Sequence, residues 1–284
     1  MKRYLILFIT AILIFSCSTK PKDSGDVFII RNQTEKEFAI ANKEAGRGNY
    51  EAALGLLEEC KRKAISVDDT GLIIRCGLSL GNVLYSIGKD TAFTEWEKTL
   101  QLAQKHGDEE LKAISIIYYA RGMLLSGKTQ AQTVLDEVNR EAAKIKNDKL
   151  YIAFSWQVKG LAYRAMGSFP EAENAFKQSL AIHENGKYLE NASYDWYNIA
   201  FIRSTLGNIQ GAVQALEEAI KLDRRAENSW ALAANWRAMG DVQRNAGNND
   251  AAKEAYMRSK DIFTAIKRTN EAAEVEKRME NLHE

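Results

Sequence analysis

Between Trp156 and Leu180 the apolar and small residues fall on two helical faces separated by a break. Trp156, Gly160 and Tyr163 share one face by their spacing of four and three, Gly167 interrupts the pattern, and Phe169, Ala172, Phe176 and Ser179 mark a second face. The pattern recurs along the chain. The breaking glycine returns at Gly48, Gly88, Gly127, Gly167, Gly207 and Gly247, in steps of 39 or 40 residues. A small residue of the first helix returns at Ala41, Gly81, Ala120, Gly160, Ala200 and Gly240, and one of the second at Ala53, Ala92, Ala131, Ala172, Ala212 and Ala252. Four residues after each of the latter stands a large apolar residue: Leu57, Trp96, Leu135, Phe176, Leu216 and Tyr256. Small residues let antiparallel helices approach, and large ones fill the space beside them. The spacing therefore predicts six helical hairpins, with Trp156, Trp196 and Trp236, repeating at 40, as core.

Residues 156–180 match all eight pattern positions of the tetratricopeptide repeat, which this stretch resembles. The resemblance implies an all-α, right-handed solenoid of six helix-turn-helix repeats over residues 34–268, closed by a capping helix over residues 269–284. In that last segment Ala272, Val275, Met279 and Leu282 form one apolar stripe. The step of 40 is longer than the commonest form of the family, and the proline usual near the end of the second helix is missing, so that helix is free to continue. This longer repeat is similar to those of kinesin light chains and the Leu-Gly-Asn repeat adaptors, which bind peptide segments of other proteins. The family lines its concave face with first helices. Transferred residue by residue, that register places Asn82, Arg121, Phe154, Gln157, Arg164, Tyr194, Tyr197, Phe201, Arg237 and Arg244 in a groove. Asn42 and Asn82 stand where relatives hold a peptide backbone or terminal carboxylate, although the basic residues of that clamp are not at their usual places.

The amino terminus has a different character. Lys2 and Arg3 precede an eleven-residue apolar run, Leu5 to Phe15, too short to span a bilayer as a stable helix. Ending at Cys17, residues 1–16 look like a bacterial lipoprotein signal, which implies acylation of Cys17. Residues 17–33 then read as the lipidated cysteine and a flexible tether, with Thr34 and Glu37 at capping-box spacing to open the first helix. With 39 basic and 38 acidic residues interspersed, the charge pattern points to no nucleic-acid partner.

Chemistry finds few footholds. Gly122 to Thr129, GMLLSGKT, matches the phosphate-loop pattern, but the repeat register makes Gly127 an inter-helix glycine and sets Gly122 inside a helix, so no nucleotide is expected. His106, His183 and His283 lie near expected helix ends without paired spacing, which favours end packing over a metal site. Cys60 and Cys76 are either a disulfide across the first junction or two buried thiols; spacing leaves both open. No nucleophile has a partnered base, and neither cofactor nor metal is expected.

The expectation is a non-catalytic adaptor of the bacterial cell envelope. It would be lipid-anchored, in the outer membrane facing the periplasm or surface-exposed, and would hold a protein or peptide segment in its groove. A periplasmic small-ligand carrier serving an envelope transporter and a surface-displayed adhesin are the alternatives. Self-packing of the groove aromatics is the competing structural outcome.

Overall fold

The computed structural model describes residues 25–282, among which there are thirteen helices and no strand. They run α1 (Gly25–Gly46), α2 (Tyr50–Ser66), α3 (Thr70–Ser86), α4 (Thr91–His106), α5 (Glu109–Leu125), α6 (Ala131–Ala142) and α7 (Lys149–Ala165). The second half continues with α8 (Phe169–Gly186), α9 (Leu189–Thr205), α10 (Ile209–Ala226), α11 (Ser229–Asn245), α12 (Asn249–Ala265) and α13 (Thr269–Glu280). Signal residues 1–16, Cys17 and His283 lie outside the described residues.

Each helix packs on the next, as a solenoid requires. The odd-numbered helices also touch along one row, α1 with α3, α3 with α5 and α5 with α7; α9 and α11 do not pack on each other to that extent. Starts are capped by side chains: Asp69 accepts from Leu72 N at 2.9 Å, Asp108 from Glu110 N and Leu111 N at 2.9 Å, and Asn228 from Ala231 N at 3.1 Å. Glu190 and Asn191 fall in the first turn of α9, because α8 runs on to Gly186 and Lys187 ends it in the left-handed region at φ 57°.

The core is filled from the even helices. Trp96, Phe176 and Tyr256 are fully buried, each opposite a glycine of the preceding helix: Gly81, Gly160 and Gly240. A Cβ on Gly160 would stand 2.7 Å from the Phe176 ring, so the hairpin depends on that position carrying no side chain. Trp96 is gripped from both sides, by Gly81 and by Gly122 of the next repeat, and its indole donates to Leu78 O at 3.1 Å. Trp156, Trp196 and Trp236, expected as core, are instead only half-buried. Lys159 stands 4.4 Å over Trp156, Arg258 stands 4.7 Å over Trp236, and Trp196 donates to Glu184 at 3.4 Å. The large even-helix residues already occupy the space within the hairpins, which leaves the tryptophans packed at the edge of the core, Trp156 and Trp236 under cationic lids.

The first repeat also departs from expectation. Residues 25–33 are helical, so α1 begins before Thr34, which lies inside the helix and donates to Ile30 O at 2.7 Å. Glu37 pairs with Lys63 of α2 at 2.7 Å and caps nothing. Of the two states open for Cys60 and Cys76, the structure has the free thiols, buried in one cluster with Ala64 and Leu72. Burial pushes the Cys76 thiol up to about 12, which makes it a small core residue.

In a solenoid each repeat ordinarily contacts only its neighbours. Here the α1–α2 turn meets the turns around α10, α11 and α12. Arg47 donates to Ala226 O at 3.4 Å, Asn228 donates to Gly46 O at 3.1 Å, and Arg268 donates to Gly48 O. The Trp230 indole lies on Gly48, where a Cβ would stand 2.8 Å from the ring and φ is +74°. Glycine is required there on both counts. The array therefore bends through a full turn between its first and last repeats, and this edge contact closes it.

Candidate functional site

The odd helices carry the inner face. On α5, Tyr118 stacks on Phe154 of α7 with ring centroids 4.2 Å apart, and Arg121 lies 5.9 Å over the same ring while donating to Asn82 of α3 at 3.5 Å. Burial pushes the Tyr118 hydroxyl up to about 12. On α7, Arg164 lies 4.9 Å over the Phe201 ring of α9 and donates to Asn198 at 2.7 Å. Asn198 in turn donates to Tyr194 O at 2.8 Å, so the amide oxygen that holds Arg164 is itself fixed.

Tyr194 and Phe201 are the exposed large aromatics of α9, at 38% and 45% exposure. Tyr197 and Phe201 line a cavity of about 340 Å³ between α9 and α11, whose wall includes Ala200, Leu216 and Val242 and whose rim includes Asp241, Arg244 and Arg278. Apolar walls with a charged rim, in the size range of small binding pockets, suit an apolar side chain or a small apolar molecule. At this end the charges are compensated. Arg237 pairs with Glu274 at 3.2 Å, Arg244 with Asp241 at 3.8 Å, and Arg278 with Asp241 and Glu274 at 2.8 Å each. The Arg278 hydrogen bond holds the Glu274 carboxyl below its ordinary value.

Of the ten expected groove residues, Asn82, Arg121 and Phe154 meet at one place, Arg164 and Phe201 at a second, and Tyr197, Phe201 and Arg244 line the cavity. Gln157 joins none of these. It is buried in the junction between the fourth and fifth hairpins, donating to Asp195 Oδ1 at 2.8 Å. Asp195 accepts from His183 Nδ1 at 2.7 Å, with Ser179 Oγ 3.3 Å from the same nitrogen. His183 packs in the last turn of α8, as expected, and is buried in the junction with α9. Serine, histidine and aspartate meet here, yet both partners face one ring nitrogen, so the ring cannot take a serine proton on one nitrogen while the aspartate orients the other. One repeat further, Asp223 and Asn235 take the equivalent places, Asn235 Nδ2 donating to Asp223 Oδ2 at 2.6 Å. Burial pushes the Asp223 carboxyl up to about 6.

Sequence reasoning missed Asn198, Glu274 and Arg278. Glu274 and Arg278 stand four apart on α13, a spacing visible in the chain, but the helix had been read only for its apolar stripe. The segment resembling a phosphate loop is the end of α5 and the following turn. Gly122 lies against Trp96, and Lys128 Nζ sits 3.4 Å over the Phe93 ring.

Comparison with known proteins agrees with this architecture. Tetratricopeptide repeat family patterns match residues 159–185 and 196–225. No curated protein matches the chain. Among solved structures, a Rap protein complexed with Competence and Sporulation Factor superposes with a TM-score of 0.60 at 16% identity, covering 87% of this chain and 74% of that one. PlcR of Bacillus thuringiensis, in complex with the peptide PapR7 and DNA, gives 0.60 at 13% identity, covering 81% and 83%. Nearly identical TPR-like repeats from Podosopora anserina give 0.53 at 18% identity, covering 69% and 96%. The fold is an all-α solenoid of tetratricopeptide repeat type.

Proposed function

We propose that the chain is a non-catalytic adaptor that holds a peptide segment of a partner protein against its inner face. Acylated at Cys17, it would be tethered in a bacterial envelope membrane, in the outer membrane toward the periplasm. The observation that carries the reading is the pair of exposed aromatics on α9, Tyr194 and Phe201, with the cavity that Phe201 lines together with Tyr197. Rigid aromatics left in water at the centre of a concave face are the usual anchors of a bound chain. Two of the structural neighbours were solved with a peptide or protein factor bound, which supports the same reading.

In-cell photo-crosslinking tests it. A photoreactive residue at Tyr197 should give a discrete protein adduct, while one at Glu217, exposed on the outer helix α10, should give none. No adduct from either position would sink the adaptor. The cavity is the observation that favours a second reading, a carrier of a small apolar ligand. Native mass spectrometry of the purified chain would then show a co-purified small mass.

A further inference from the structure

The arginines of the inner face fall into two sets, and the difference names the chemistry of the bound segment. This inference rests on the adaptor reading. Arg237, Arg244 and Arg278 are each paired with Asp241 or Glu274, two carboxylates shared among three arginines. Arg121 and Arg164 have no carboxylate within ion-pair distance among the described residues. Their partners are the neutral oxygens of Asn82 and Asn198 and the faces of Phe154 and Phe201. An aromatic face and an amide oxygen orient a guanidinium without cancelling its charge, and most of its five N–H donors stay unused. Of the acids on α5, α7 and α9, Glu109, Glu110 and Glu190 stand in the first turns of their helices, and Asp195 is fully buried and turned to His183 and Gln157.

Two oriented, uncompensated guanidiniums beside an aromatic wall attract anions, and their planar forks match carboxylates. We propose that Arg121 and Arg164 read carboxylates of the partner segment, on acidic side chains or at a free carboxyl terminus, while the cavity beside Phe201 takes an apolar side chain. The three arginines of the sixth-repeat rim share the two carboxylates Asp241 and Glu274, which leaves one net positive charge there against two unshared ones over the third and fourth repeats. The arrangement therefore sets a direction: the acidic part of the segment lies over the third and fourth repeats and the apolar part over the fifth and sixth.

The test is fluorescence anisotropy with the full chain in mild detergent. The probes are labelled twelve-residue peptides of alternating leucine and glutamate, or leucine and glutamine, each with a free or amidated carboxyl terminus. The glutamate peptide should bind at least about tenfold more tightly than the glutamine peptide at low salt, the preference shrinking as salt rises. Arg121→Gln with Arg164→Gln should remove the preference while leaving the glutamine peptide unchanged, and Arg237→Gln should keep it. Arg121→Lys with Arg164→Lys should retain part of it, which separates lost charge from lost fold. Free-carboxyl peptides that bind more tightly than their amidated twins, whether they carry glutamate or glutamine, assign the carboxylate to the chain end. Equal affinity of all four peptides, survival of the preference in the double glutamine variant, or no binding of any probe overturns the proposal. In each of those cases a Tyr197 adduct in cells still upholds the adaptor, and its absence ends both.

Discussion

The junction around Trp96 and the junctions around Asp195 and Asp223 join successive hairpins of one pattern by opposite means. At the first, an indole fills the space between Gly81 and Gly122, with Phe93 and Tyr85 rings 5.6 and 5.9 Å away. At the others, where Phe176 and Leu216 stand at the place of Trp96, the junction also buries His183, Asp195 and Gln157, and then Asp223, Asn235 and Ser193. Shape and one indole hydrogen bond to Leu78 O seal the apolar junction. The polar ones depend on satisfied donors and acceptors, and Asp223 Oδ1 and Asn235 Oδ1 are buried without partners. One scaffold tolerates both fillings because each junction is stabilised locally.

The largest expected effect separates the two. Trp96→Ala should cost about 3–5 kcal/mol in urea unfolding, by a similar amount from pH 4 to 8, since no titrating group touches the ring. A loss under about 1 kcal/mol would mean the neighbouring repeats collapse into the space. Next comes the proton on Asp223. Its carboxyl is raised to about 6 in the folded chain, which therefore holds the proton more tightly than the unfolded chain does. Stability from this group falls as pH rises between about 4 and 6, and above that range the ionised, buried carboxylate costs about 3 kcal/mol. Asp223→Asn should be more stable than the native chain at pH 8 and equal to it near pH 4. A gap of constant size across that range would assign the effect to packing.

Trp196 sharpens the comparison from the polar side. Half-buried and donating to Glu184, it should cost about 1–2 kcal/mol on truncation to alanine, less than Trp96. Equal losses would restore the view that the periodic tryptophans are core. The smallest effect lies in the connecting turns. The apolar junction uses Gly107 at φ 80°, but the polar ones force Lys187 and Glu227 to φ 57° and 55°. Lys187→Gly and Glu227→Gly should each raise stability by about 0.5–1 kcal/mol in thermal melts, and a decrease would show that the side chains contribute contacts beyond the turn.

The hairpin register was legible because it depends on local spacing. Gly160 and Phe176 belong to adjacent helices, and the residue types at both places record one close approach. The role of the tryptophans was not legible, since three aromatics at a strict period satisfy a core and a half-covered edge equally well; only the size of Phe176 and Tyr256 across the hairpin decides. Arg121, Arg164, Arg237 and Arg244 looked alike in sequence for a similar reason. Whether a guanidinium meets Glu274 or nothing depends on how the last helix folds back, which is a sum of small rotations between repeats. Gln157 shows the same limit within one helix: a few degrees of rotation turn a lining residue into a junction residue bonded to Asp195.

The contact of Gly46–Gly48 with Asn228, Trp230 and Arg268 changes what kind of object a partner meets. An open spiral accepts a strand laid in from the side, including a loop fastened at both ends. A hoop does not. For the adaptor proposed above, a segment tied into its own fold at both ends would reach the inside only while the seam is undone, whereas a loose tail would thread through as it stands, so the seam would sort partners by whether they own a free end.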